Sequence, residues 1–293
     1  SGGVTVKNAM QLKARMKNLS KEKHISAQLL LQNYMMERLL ERISQSRYKE
    51  YFIIKGGFLI AAMVGLDTRA TMDIDATIKG YPVTEKTIKT MFEEICDIYI
   101  PDDIVFEFKH IGEIREGDEY TGYRVSVTAN YAPMAVPLKL DITTGDVITP
   151  KEISFAYPMM LEDRTISVLA YNLETILAEK LETVISRSDQ NTRPRDYYDI
   201  FILYRLWKNN VNMHNLQCAL KATSEKRGSV NLLTEYKRIM EVVVNSEVMG
   251  KQWKKYQKDF AYASEVSFKE ACNTVTSIMD IIGHKYNGNF MIN

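Results

Sequence analysis

Apolar residues recur at three- and four-residue steps through Leu29, Leu30, Tyr34, Met35, Leu39, Leu40 and Ile43, which predicts an amphipathic helix capped by Ser26. The pattern then changes. Tyr51-Phe52-Ile53-Ile54 is a short β-rich run closed by Lys55-Gly56-Gly57, and residues 58–64 read as a helix stopped at Gly65. Residues 71–78 alternate in character and predict a strand, which Gly80-Tyr81-Pro82 breaks. Residues 84–98 are helical by period, with Thr84 as cap. Strands are expected at 105–109, 123–129 and 137–142, separated by turns around Gly117 and Ala132-Pro133. From Asn172 onward the pattern is helical, at roughly 173–188, 196–208, 213–223, 229–245, 250–261 and 265–283. The expected organisation is a mixed α+β domain over residues 1–165 and a helical domain over 166–293.

Composition narrows the class. With 45% hydrophobic and 26% charged residues, the 293-residue chain is neither disordered, collagen-like nor a coiled coil, and its length allows two domains. Lys and Arg total 38 against 37 Asp and Glu, so a polycation is excluded and only a local basic groove could hold nucleic acid. Cys96, Cys218 and Cys272 are too far apart to suggest a disulfide framework or a thiolate zinc site, which points to a reducing, cytoplasmic compartment. No apolar run reaches the ~18–20 residues of a membrane span, so no membrane partner is expected, and no signal-peptide pattern opens the chain. Ser1-Gly2-Gly3 reads as the remnant of a removed tag.

The sharpest chemistry is Lys55-Gly56-Gly57 followed by Arg69-Ala-Thr71-Met-Asp73-Ile-Asp75. On a strand, residues i and i+2 share a face, so Asp73 and Asp75 would aim two carboxylates at one point. Such a pair is comfortable around a hard cation such as Mg²⁺. A Gly-Gly turn lets backbone N–H groups approach phosphate oxygens without a Cβ in the way. Asp141, at the end of a predicted strand that also carries Lys139, supplies a third acid; Asp146 competes for that assignment five residues on. Three carboxylates around two metals would clamp an in-line phosphoryl displacement. Arg69 would neutralise phosphate charge.

A second constellation runs from Glu179-Lys180 through Arg187 to Arg193-Pro-Arg195-Asp196-Tyr-Tyr-Asp199. Lys180 and Arg187 are two helical turns apart and share a face. Asp196 and Asp199 open the next helix after Pro194, where acids suit the dipole. Two readings stay open: helix ends joined by a basic loop, or phosphate-binding cations (Lys180, Arg187, Arg195) held by acids. Near the C-terminus, Lys251, Trp253, Lys254, Lys255, Tyr256 and Lys258 interleave charge and rings. They could grip RNA, or form a solvated helix face with the rings packed inward.

The ordered set Lys-Gly-Gly, Arg-x-Thr-x-Asp-Ile-Asp, Leu-Lys-Leu-Asp-Ile, Glu-Lys-Leu and Arg-x-Arg-Asp-x-x-Asp, spread over residues 32–204, resembles the AbiEii/AbiGii-type nucleotidyltransferases. These are toxin components of bacterial type IV toxin–antitoxin and abortive-infection systems. The resemblance implies an α+β, polymerase-β-like core with a mixed sheet, a helical C-terminal domain, and an NTP bound in the cleft between them. It implies that Gly56 and Gly57 meet the triphosphate and that Asp73 and Asp75 hold Mg²⁺, and Lys55 beside the glycines is expected to bind substrate with them. Asp141 would stand at the third carboxylate, and Lys180 and Asp199 would match the family's later Lys and Asp motifs. Arg69, Arg187, Arg195 and Asp196 would serve substrate binding. The implied acceptor is an RNA such as tRNA, or a protein side chain, and a cognate antitoxin is the implied partner. Phe58 stands where the wider superfamily favours Ser, leaving phosphate contact there to backbone N–H groups. The rival readings are a catalytically silent nucleotide- or RNA-binding protein of the same fold, a small-molecule (aminoglycoside-like) nucleotidyltransferase, and a nuclease.

Overall fold

A computed structural model describes residues 6–116 and 119–285. Ser1-Gly2-Gly3 and the turn at Gly117 lie outside these residues. The chain divides into two units, residues 1–146 with 152–170, and residues 147–151 with 171–293.

The first unit is α+β. In chain order it holds α1 (Ala9–Lys23), α2 (Ala27–Gln45), β1 (Phe52–Lys55), α3 (Gly56–Val64), β2 (Ile74–Ile78), α4 (Glu85–Cys96) and β3 (Val105–Glu116). Then follow β4 (Glu119–Tyr131), β5 (Met134–Thr144), β6 (Ile153–Pro158) and β7 (Thr165–Ala170). The seven strands form one mixed sheet in the order β3-β4-β5-β2-β1-β7-β6. β5 runs parallel to β2 and β7 parallel to β1, while the remaining neighbours are antiparallel. Along β5, Leu138, Leu140 and Ile142 are buried while Lys139, Asp141 and Thr143 are not. This alternation turns one face of the sheet to the apolar core and leaves the other for polar chemistry.

The caps follow the sequence. Ser26 Oγ accepts from the Leu29 N–H at 3.2 Å, and Thr84 and Thr87 form a reciprocal capping box at the head of α4. The long helix α2 lies within the core, and its buried charged groups are partnered in part, while Glu37 Oε2 and the Nε atoms of Arg38 and Arg42 have no hydrogen-bond partner. Arg42 forks Asp102 at 2.9 and 2.8 Å, and Glu37 accepts from the Met160 N–H at 2.6 Å. Burial pushes the Glu37 carboxyl up to about 7, against the pull of that N–H and of Arg38.

The second unit is helical: α5 (Leu173–Arg187), α6 (Pro194–Trp207), α7 (Met213–Arg227), α8 (Val230–Thr234), α9 (Tyr236–Val244), α10 (Glu247–Asp259) and α11 (Phe268–Lys285). Leu177, Leu181, Tyr197, Leu203, Leu220 and Trp253 are among its buried side chains. Two differences from the sequence reading stand out. The helix expected over 229–245 breaks at Glu235, which caps both α8 and α9. The chain at 153–170, where no strand is expected, forms the hairpin β6–β7, and residue 165 opens β7. No helix among the described residues is long and apolar enough to cross a membrane.

Candidate active site

Four strands bring four charges into one row. Lys55 on β1 is in register with Asp75 on β2, Asp75 with Asp141 on β5, and Asp141 with Arg124 on β4. Register partners on neighbouring strands share a face about 4.8 Å apart, so the row reads cation, anion, anion, cation across the polar side of the sheet. Asp141 sits three residues inside β5, which runs on to Thr144, whereas the sequence suggested a strand end.

Both ends of the row are tied down. Arg124 donates to both Asp141 oxygens, Nε to Oδ1 and Nη2 to Oδ2, each at 2.7 Å. Those hydrogen bonds push the Arg124 pKa further up; burial opposes them, and the negative field of Asp141, Asp73 and Asp75 adds to the rise. Lys55 Nζ donates to Asp146 Oδ2 at 2.6 Å and to Thr143 Oγ1 at 2.7 Å. Of the two candidates for a third carboxylate, Asp141 is therefore the one beside Asp75, and Asp146 pairs with Lys55 beyond the end of β5.

The glycines are explained by close approach. Gly56 has φ +61, and a Cβ there would fall 2.5 Å from Asp75 Oδ2. A Cβ on Gly57 would lie 3.0 Å from Arg69 Nη2. The Gly-Gly turn thus meets Arg69, 12 residues after Gly57, and Asp75, 19 residues after Gly56, at the start of α3. The first N–H groups of a helix lack intrahelical partners and favour anions. Phe58 leaves this polar side for the core, where it is buried and stacked on Tyr157 with ring centroids 5.3 Å apart.

Asp73 immediately precedes β2 rather than lying within it. Its segment is hung on α2: Asn33 Nδ2 donates to the Thr71 carbonyl and Gln32 Nε2 to the Met72 carbonyl, both at 2.8 Å. Sequence reasoning missed Asn33, Gln32 and Arg124. An asparagine one helical turn from the apolar Leu29, Leu30 and Met36 is the signal that could have found Asn33, whereas Arg124 becomes visible only once the β4–β5 register is known.

The resemblance seen in the sequence implies a divalent metal, and the donor set is chemically suited to one. It consists of hard carboxylate oxygens, with a guanidinium already drawn into their field. As arranged, no three His, Cys, Asp or Glu side chains among the described residues form a group that could hold an ion. Asp141 spends both oxygens on Arg124 instead.

In the second unit, Lys180 on α5 donates to Asp196 Oδ1 at 2.6 Å and contacts Asp199 Oδ2 at 3.0 Å, both acids on the first turns of α6. Asp196 and Asp199 are buried, and Asp196 Oδ2 has no hydrogen-bond partner. The lysine expected to meet phosphate is here held by two carboxylates. Arg187 occupies the last turn of α5, where a cation suits the dipole, and Arg195 is exposed at the head of α6. Alongside, Arg227 pairs with Glu182, which also accepts from Ser229 Oγ at 2.8 Å. On α10, Trp253 and Tyr256 are buried, with Trp253 Nε1 donating to the Val266 carbonyl at 2.9 Å, while Lys251, Lys254, Lys255 and Lys258 are exposed. The rings therefore belong to the core of the unit.

A family model for the nucleotidyl transferase AbiEii toxin of type IV toxin–antitoxin systems matches residues 38–274. No curated protein matches the sequence. Among solved structures, an H. pylori protein assigned as a nucleotidyltransferase aligns with a TM-score of 0.55 at 14% identity, covering 90% of this chain and 98% of its own. MenT4, a nucleotidyltransferase toxin from Mycobacterium tuberculosis H37Rv, aligns with a TM-score of 0.54 at 12% identity, covering 92% and 98% respectively. At these identities the structural likeness carries the fold alone.

Proposed function

The chain belongs to the AbiEii family of nucleotidyltransferase toxins, and from that premise we propose that it moves a nucleoside monophosphate from an NTP to an RNA acceptor, tRNA in the form we favour, with Mg²⁺ as cofactor. The observation that carries this reading is the charged row on β1, β2, β5 and β4, set beside a glycine turn with no room for a side chain. Such a turn at a helix start suits a polyphosphate, and carboxylates beside it suit the cation a polyphosphate brings.

Asp73 and Asp75 are the residues that would hold the metal, and we assign Asp141 to the third carboxylate. When bound, Mg²⁺ supplies charge neutralisation on the phosphates and a template for in-line attack. The protein's own part is positioning and electrostatics. The N–H groups at the start of α3 meet phosphate oxygens, and Arg69 behind Gly57 offsets their charge. The acceptor hydroxyl oxygen bonds to the α-phosphorus as the bond to the bridging oxygen breaks. Pyrophosphate leaves, and the hydroxyl proton passes to a carboxylate of the same set. Lys180, pinned by Asp196 and Asp199, is assigned with Asp199 to activity by its match to the family's later motifs. We infer a cytoplasmic setting, where NTP and RNA are at hand, and a cognate antitoxin as protein partner.

The reading is tested with purified protein, each of the four labelled NTPs, Mg²⁺ and total bacterial RNA, against the Asp73→Asn, Asp75→Asn double variant. Label on RNA with the native chain and none with the double variant is expected. Label confined to protein would move the acceptor to a side chain, and no label with any NTP would overturn the transferase reading.

A further inference from the structure

Asp75 and Asp141 occupy adjacent register positions on parallel strands, with Asp73 just ahead of Asp75. Three carboxylates on one patch repel, and the fold must compensate for them when no metal is present. It does so with Arg124. The guanidinium makes a two-pronged bridge to Asp141 from the next strand of the sheet, at 2.7 Å on both prongs. It feels the charge of Asp73 and Asp75 as well.

We infer that Arg124 is a resident counter-cation of the carboxylate row, a positioning residue that holds Asp141 when no divalent ion is present and yields it when one binds. The inference rests on the metal-binding reading above. The exchange is physically accessible for two reasons. The Arg124 side chain is 46% exposed, against 22% for Asp141, and bridges open to solvent are weak, so releasing one costs little. An arginine also keeps its charge at any working pH, so the hold on Asp141 is broken by a competing cation and not by loss of a proton. Its reach from β4 leaves it beside the patch after release, where its charge can face the phosphates that arrive with the metal.

A purely structural bridge and a competing cation predict opposite signs. If Arg124 only held the sheet together, removing it would loosen the site and weaken metal binding. If it competes, removing it would strengthen binding. The test is Mn²⁺ titration of the nucleotide-free protein followed by electron paramagnetic resonance, comparing the native chain with Arg124→Gln. The expected result is a Kd lower by about fivefold to tenfold in Arg124→Gln, with the gain abolished in Arg124→Gln, Asp141→Asn. Thermal unfolding of each variant verifies that it is folded, and Arg124→Lys, which keeps the charge, should stay within twofold of the native Kd. An unchanged or weaker Mn²⁺ affinity in a folded Arg124→Gln overturns the inference while leaving the metal site standing. Mn²⁺ binding that is insensitive to Asp73→Asn, Asp75→Asn removes the metal reading itself, and the inference with it.

Discussion

Two charged clusters sit in the two units, and they are built on opposite principles. The first lies on strands: Lys55, Asp75, Asp141 and Arg124 face one side of the sheet, partly open to water, each central acid flanked by a cation. The second lies on helices: Lys180 answers both Asp196 and Asp199, which are buried, and one Asp196 oxygen has no partner. A partly open, paired row can exchange its partners at little cost, whereas a lysine shared by two buried acids cannot let go without stranding their charge. The first arrangement suits a site where ions come and go. The second suits a fixed electrostatic element.

That contrast orders the expected effects. Lys180→Met removes the cation shared by two buried carboxylates and should cost about 3–5 kcal/mol, read as a lower denaturant midpoint at unchanged slope. A variant as stable as the native chain would show that the buried cluster is not the fixed element described here. A third buried acid sharpens the point. The Glu37 carboxyl is raised from 4.5 to about 7 by burial, so the folded chain binds a proton there that the unfolded chain has released. Stability should therefore fall as pH rises from about 4.5 to 7, by roughly 2–3 kcal/mol for this group alone. Glu37→Gln should remove that slope in urea titrations at a series of pH values, and an identical pH profile would count against it.

Gly56→Ala is the next in size. Alanine at φ +61 costs about 1–2 kcal/mol, and its methyl would press on Asp75. Displacing a carboxylate by an ångström should lower transfer activity on the order of a hundredfold. Stability and rate measured on the same preparation check both figures. The smallest effect on stability is expected at Arg124→Gln, within about 1 kcal/mol, because its bridge is partly exposed. A loss comparable to that of Lys180→Met would erase the distinction between the clusters.

Much of this was legible in the chain. Asp73-x-Asp75 and Lys55-Gly56-Gly57 stand out because local spacing and turn chemistry announce them, and the helical character after Asn172 follows from its period. What was hidden depends on long-range pairing. Arg124 and Asp141 are 17 residues apart, and only the register of β4 on β5 makes them partners. The β6–β7 hairpin escaped because two six-residue strands, one at the sheet edge, give too short an alternation to read. The break at Glu235 has no glycine or proline to mark it. Lys180 was seen as a cation, but its capture by Asp196 and Asp199 depends on how α6 packs against α5, which spacing alone does not give.

The central claim is that the charged row serves nucleotidyl transfer, and it is tested most directly by comparing two labels. NTP labelled at the α-phosphate and NTP labelled at the γ-phosphate would be incubated in parallel with the protein, Mg²⁺ and RNA. The account predicts that α-label becomes attached to RNA while γ-label appears only in pyrophosphate, both lost in Asp73→Asn, Asp75→Asn. Transfer of γ-label to the acceptor, or α-label incorporation that survives the double substitution, would contradict it.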